Sequence, residues 1–150
     1  MGPQSNIYKK LSSKERKLFL KALEKQFGFR EPIRYDLFIR KDKIYAMCKE
    51  FSSANLKNLN INSIGLYIAK KEKNGIRFSI EGSQIIGSKS TKNIFEVTSP
   101  EDWLQGKDIE NKSILKNFVL IKYKNDFLGC GFCKNDKVLN YIPKSRRLRL

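Results

Sequence analysis

Leu18, Phe19, Ala22, Leu23, Gln26 and Phe27 recur at the three- and four-residue spacing of a single helix face. Ser12 and Glu15 stand ahead of them at capping-box spacing and Gly28 follows as a stop, so the pattern predicts a helix over 12–27. The other face holds Lys14, Arg16, Lys17, Lys21 and Lys25. It reads first as the solvated side of a core-packed helix, with nucleic-acid contact as a secondary reading. The pattern then changes to short apolar and aromatic runs. Tyr35 to Ile39 and Ile44 to Cys48, joined across Lys41-Asp42-Lys43, predict a hairpin. Residues 50–59 suggest a short helix ending in asparagine-rich punctuation. Ile64 to Lys70 and Ile76 to Ile80 flank Asn74-Gly75, a pair that favours a tight turn with central residues at positive φ. Glu81 to Ile86 is ambiguous, with a helical turn as one reading, and Gly87 to Lys92 reads as a polar loop.

Residues 1–92 are therefore expected to form an α+β unit, an antiparallel sheet with two or three helices. A boundary is expected within Lys89–Asn93. Beyond it, a strand at Ile94–Val97 leads to Ser99-Pro100-Glu101-Asp102, which combines an N-cap serine, a proline in the first turn and acids beside the helix N-terminus. Trp103 and Leu104 would anchor this short helix and Gly106 would stop it, with irregular chain to about Asn117. The stretch FVLIKYKNDFLGCGFCKNDKVLNYIPKSRRLR follows: a strand at Phe118–Ile121, a second broken by Gly129 and Gly131, and a short third after Asn135-Asp136. Residues 93–150 thus read as short strands around one small helix, a pattern suited to a small closed barrel.

Composition narrows the function. The 150 residues carry a formal charge of +16, which predicts attraction to polyanions, nucleic acid or an anionic membrane. Membrane association is the weaker reading, because no apolar run approaches the roughly 20 residues that span a bilayer. The N-terminus MGPQSNIYKK lacks a signal-peptide core. Three cysteines, an odd number, fit a reducing cytoplasm. There is no histidine, which excludes Ser-His-Asp and Cys-His nucleophile systems and histidine metal ligation. Catalysis is not expected, nor is a cofactor.

Candidate chemistry concentrates in two places. Near the C-terminus, Gly129 and Gly131 would let a phosphate approach backbone N–H groups beside Lys144, Arg146, Arg147 and Arg149. In the first hairpin, Arg40, Lys41 and Lys43 alternate with Tyr35, Phe38 and Tyr45; these aromatics either stack on bases or fill the core. Cys130 and Cys133 form a Cys-x-x-Cys pair, but a zinc site needs four ligands. A redox dithiol belongs at a helix N-terminus rather than in a strand. Packing is the preferred reading, and no metal site is expected.

Trp103-Leu104-Gln105-Gly106, Phe118-Val119-Leu120-Ile121, Asp126-Phe127-Leu128-Gly129-Cys130-Gly131 and the ending Asn140-Tyr141-Ile142-Pro143-Lys144-Ser145-Arg146-Arg147-Leu148 together resemble a PUA domain, a small RNA-binding pseudo-barrel. The Ile-Pro-Lys-Ser-Arg-Arg-Leu ending looks like the C-terminal extension of Nol/Nop/Sun-type RNA cytosine-5 methyltransferases. The preceding helix and strands, including Phe38 to Tyr45, Ile64-Gly65 and Ile76-Arg77-Phe78, resemble the α+β domain before PUA in the Nip-seven ribosome-assembly family. What the resemblance implies is a non-catalytic binder of rRNA or tRNA in the cytoplasm, serving ribosome biogenesis or RNA modification. Its partners would be ribosome-assembly factors or an RNA methyltransferase. The alternative is a protein adaptor docking on a separate RNA cytosine-5 methyltransferase.

Overall fold

Ser12 opens the first helix through a reciprocal pair of bonds: its hydroxyl accepts the Glu15 N–H at 3.1 Å, and the Glu15 carboxylate accepts the Ser12 N–H at 3.0 Å. In this computed structural model, which describes residues 8–48 and 65–149, helix α1 runs over Ser13–Phe27 and ends at Gly28 with φ 68°. Phe19, Leu23 and Phe27 form its buried stripe. Leu18, expected in that stripe, is 58% exposed, because it lies about 100° round the helix from Phe19. Arg16, expected on the solvated face, is half-buried and donates to the carbonyls of Ile33 and Tyr35. It clamps the connection that returns the chain to the sheet.

That sheet is antiparallel, in the order β1 (Lys9–Lys10), β2 (Asp36–Arg40), β3 (Lys43–Met47), β4 (Leu66–Glu72), β5 (Gly75–Phe78). Strand β1 has no counterpart in the sequence reading; it pairs Lys9 with Ile39. The β4–β5 turn occupies Lys73-Asn74, and only Gly75 carries the positive φ (130°) expected of the Asn-Gly pair. A bulge at Ile68 lets Ile68 and Ala69 both face the core. The helix expected at 50–59 lies outside the described residues.

The ambiguous segment after β5 is a helix, α2 (Ile80–Ile86), capped by Ser79 and continued by a 3₁₀ turn at Gly87–Lys89. The second sheet is mixed, in the order β6 (Ile94–Glu96), β8 (Asn117–Tyr123), β9 (Asp126–Lys134), β10 (Lys137–Asn140), β7 (Ile109–Glu110). Helix α3 (Pro100–Leu104) lies between β6 and β7 in the chain. Strand β6 runs parallel to β8 and the other pairs are antiparallel. The curled sheet makes the half-barrel expected of a PUA-like fold beside an α+β unit. Strand β7 falls in the stretch read as irregular. Its two residues carry too little pattern to reveal a pairing that Lys137 and Val138 supply.

Strand β9 is not broken at its glycines. Leu120 opposes Cys130 and Lys122 opposes Phe127, so Leu128 and Gly129 together face Ile121 as a bulge, with Gly129 at φ 99°. The extra residue bends the strand and helps the sheet curl. Both faces of this sheet are covered, which explains the unbroken apolar run Phe118–Ile121. Leu120, Phe127 and Cys130 join the core of α1 and the first sheet, whereas Val119, Ile121, Cys133 and Val138 pack around Trp103. No helix among the described residues is long and apolar enough to cross a membrane.

Candidate nucleic-acid interface

The two units meet along a seam where Phe78 donates its N–H to Cys130 Sγ at 3.2 Å and Gly129 donates its N–H to Ser83 Oγ at 2.9 Å. Above this seam opens a cleft of about 220 Å³. Tyr67 and Arg77 line it from the first sheet, Gly129 from the second, and Tyr141 and Arg146 from the C-terminal segment. The Arg77 guanidinium lies 4.5 Å from the Tyr141 ring centroid. Arg146 forms a forked ion pair with Glu81 across the cleft. Burial pushes the Tyr67 hydroxyl above its ordinary range, against the opposing pull of Arg77.

The expected phosphate-binding residues separate into distinct roles. Gly129 lines the cleft, but its N–H is already held by Ser83 and is not free for a phosphate. Gly131 lies beneath Trp103: an added Cβ would sit 2.5 Å from Val138 Cγ1 and 2.9 Å from Trp103 Cη2. Its missing side chain makes room for an indole rather than for a ligand. Arg147 is also committed, donating from Nε to the Ile142 carbonyl at 3.0 Å while Leu148 N–H donates to the Leu104 carbonyl at 2.8 Å. The segment is thus pinned against α3, not splayed. Lys144 and Arg149 are exposed and have no ion pair among the described residues.

In the hairpin, Lys41 forms the turn at φ 55° and is exposed. Arg40 lies over the Tyr8 ring at 5.0 Å and Lys43 over the Tyr67 ring at 5.3 Å. Phe38 and Tyr45 are buried, so of the two open readings for these aromatics packing holds for this pair; Tyr35 is 36% exposed. The sequence reading missed Lys70 and Arg77. Strand register brings them opposite the hairpin cations: Arg40 pairs with Lys43, Lys43 with Lys70, and Lys70 with Arg77. Locally each looks like an ordinary strand-edge charge, so only the pairing of β3 with β4 could reveal the alignment.

Cys130 and Cys133 lie in different cores, as side chains three apart on a strand should. Burial pushes the Cys130 thiol up to about 12 and raises Cys133 as well. In the native protein near neutral pH, iodoacetamide is expected to modify exposed Cys48 and to spare both buried thiols. A thiol pKa raised by folding contributes its stability fully below the unfolded value. Stability should therefore fall as pH rises through the window from 9.0 to about 12, read by denaturant midpoints across that range.

Residues 92–148 match the family described as the Methyltransferase RsmF PUA domain. The C-terminal unit is a PUA domain. It is related to the C-terminal region of Sun-type rRNA methyltransferases. The chain is 23% identical over 139 residues to the Ribosomal RNA small subunit methyltransferase F of Vibrio vulnificus, covering 91% of this chain and 29% of that protein. It is 27% identical over 137 residues to the protein of the same name from Aeromonas salmonicida, covering 89% and 28% respectively. The chain therefore spans less than a third of the length of these relatives. Within the PUA domain, Trp103 packs against Gly131, and the C-terminal segment places Arg146 on the cleft and leaves Lys144 and Arg149 exposed.

Proposed function

We propose that this chain is a non-catalytic RNA-binding module acting in rRNA modification or ribosome biogenesis, with residues 1–92 as a pre-PUA unit and 93–150 as the PUA unit. The observation that carries this reading is a PUA domain set in a surface whose cations outnumber their carboxylate partners. Lys144, Arg149, Lys41 and Lys43 have no ion pair among the described residues. Point charges and guanidinium forks of this kind hold phosphates without reading sequence. Arg146 joins them once Glu81 releases it. Gly129, Gly131 and Arg147 act indirectly, through the shape of the barrel and the course of its last segment.

The test is binding of an rRNA fragment, followed by anisotropy across a salt series. Lys144→Gln with Arg146→Gln is expected to weaken binding and to make log K less steep in log salt by about 1.4 to 1.8, one counterion step per cation. An unchanged slope would remove these residues from the interface. Recovery of rRNA precursors rather than tRNA on crosslinking in cells would favour rRNA over tRNA as the target.

A second reading rests on the share of the relatives that is matched, which is 29% of the Vibrio vulnificus protein. Here the chain would dock on a separately supplied RNA methyltransferase and target it. A stable one-to-one complex, with weak RNA affinity for this chain alone, would favour that role.

A further inference from the structure

Like charges set directly opposite across a sheet destabilise it. Here four cations do so on consecutive strands, Arg40–Lys43–Lys70–Arg77, with Glu72 offsetting two of them, 3.5 Å from Lys70 and 3.2 Å from Arg77. With strands about 4.8 Å apart, the row extends over about 14 Å. It leads at Arg77 into the seam cleft, where Tyr67 and Tyr141 flank the guanidinium. Arg77 Nε is buried without a hydrogen-bond partner, a state that lowers the stability of the fold. Glu72 and the tyrosine rings beneath Arg40, Lys43 and Arg77 offset part of this repulsion, and a bound polyanion would offset the rest.

We propose that the row is a track for a single strand of RNA, its phosphates lying along Arg40, Lys43, Lys70 and Arg77 and one unstacked base entering the cleft. The track lies outside the residues matched to the PUA family and rests on the RNA-binding reading above. Three features favour a single strand over a duplex. The Lys70 and Arg77 side chains are only 32% and 20% exposed, sunk to a depth that one backbone lying on the sheet can reach. At about 220 Å³ the cleft is below the roughly 300–1,000 Å³ of pockets for drug-sized ligands and suits one planar base. A duplex keeps its bases stacked inside, whereas an open strand presents them to aromatic and guanidinium planes.

The experiment uses the full chain, a labelled short oligouridine and a blunt RNA duplex of equal length, each titrated across a salt series. Lys43→Gln with Lys70→Gln should cut oligouridine affinity several-fold and flatten its salt slope by about 1.4, at 0.7 per cation for single strands. The thermal midpoint should hold or rise, because the substitution relieves repulsion. Duplex binding should keep its slope. Lys134→Gln with Lys137→Gln removes another pair of opposed lysines, in the other sheet, and should leave the oligouridine slope in place. The track is overturned if both double variants flatten the slope equally, if duplex binding falls as far as single-strand binding, or if the thermal midpoint falls along with affinity. An unchanged oligouridine slope in Lys43→Gln/Lys70→Gln removes the track and leaves the RNA-binding reading standing. Failure of the wild type to bind either RNA overturns both.

Discussion

Trp103→Ala is expected to lower stability by about 3–5 kcal/mol, the usual cost of emptying a large buried aromatic site. The indole is fully buried, its Nε1 donates to the Leu128 carbonyl at 2.9 Å, and its ring rests on Gly131. The Trp103 carbonyl also accepts from Asn140 Nδ2 at 2.8 Å, which ties α3 to the end of β10. Removing the side chain leaves a cavity in the core it shares with Val119, Ile121, Cys133 and Val138, and an orphaned carbonyl at Leu128. Against a typical total of about 5–15 kcal/mol, such a loss would leave the PUA domain marginal. Urea unfolding followed by circular dichroism measures it through the midpoint at constant slope. A loss below about 1 kcal/mol would mean that the indole is not packed in this way.

The second large effect should come from Gly82→Ala. Alanine normally strengthens a helix interior by about 1 kcal/mol over glycine. At Gly82 the sign should reverse, because a Cβ would press into the carbonyl oxygen of Ile68 and lie 2.7 Å from Phe78 Cδ1. That carbonyl belongs to the bulge in β4 and already accepts the Ser79 N–H at 2.9 Å, so it has little freedom to withdraw. Overpacking of this kind costs about 1–3 kcal/mol and more where backbone must move. Helix α2 would be pushed off the sheet, and the cleft it borders would change shape with it. Thermal unfolding compared with Gln84→Ala, an exposed position on the same helix, isolates the contact. Equal midpoints for the two variants would show that α2 does not pack this closely.

The local elements were legible because their determinants lie within a few residues of one another. The Ser12–Glu15 capping box, the Gly28 stop and the hairpin at Lys41 each follow from residues acting on nearby backbone. The short helix after Ser99, by contrast, starts at Pro100 with the Ser99 hydroxyl bonded to the Glu101 carboxylate rather than capping a backbone N–H. The apolar run Phe118–Ile121 announced a strand, and the structure shows both of its faces covered. The order of Trp103-Leu104-Gln105-Gly106, Asp126 to Gly131 and the Ile142-Pro143 ending pointed to the PUA family that residues 92–148 match.

What a residue does with its charge, or with a missing side chain, was not legible in the same way. Gly131 and Gly129 look alike in sequence, yet one sits beneath an indole and the other forms a bulge over the seam. Arg16, Arg146 and Arg147 look as free as Lys144, yet they are held by Ile33 and Tyr35, by Glu81, and by Ile142. By itself the sequence determined the capped helix, the strand pattern, the excess of positive charge and the family resemblance. Only the tertiary structure decided that Arg40, Lys43, Lys70 and Arg77 stand in one row and that the row ends at a cleft. Strand pairing sets that outcome: register aligns residues tens of positions apart, and a slip of one residue turns every side chain to the opposite face.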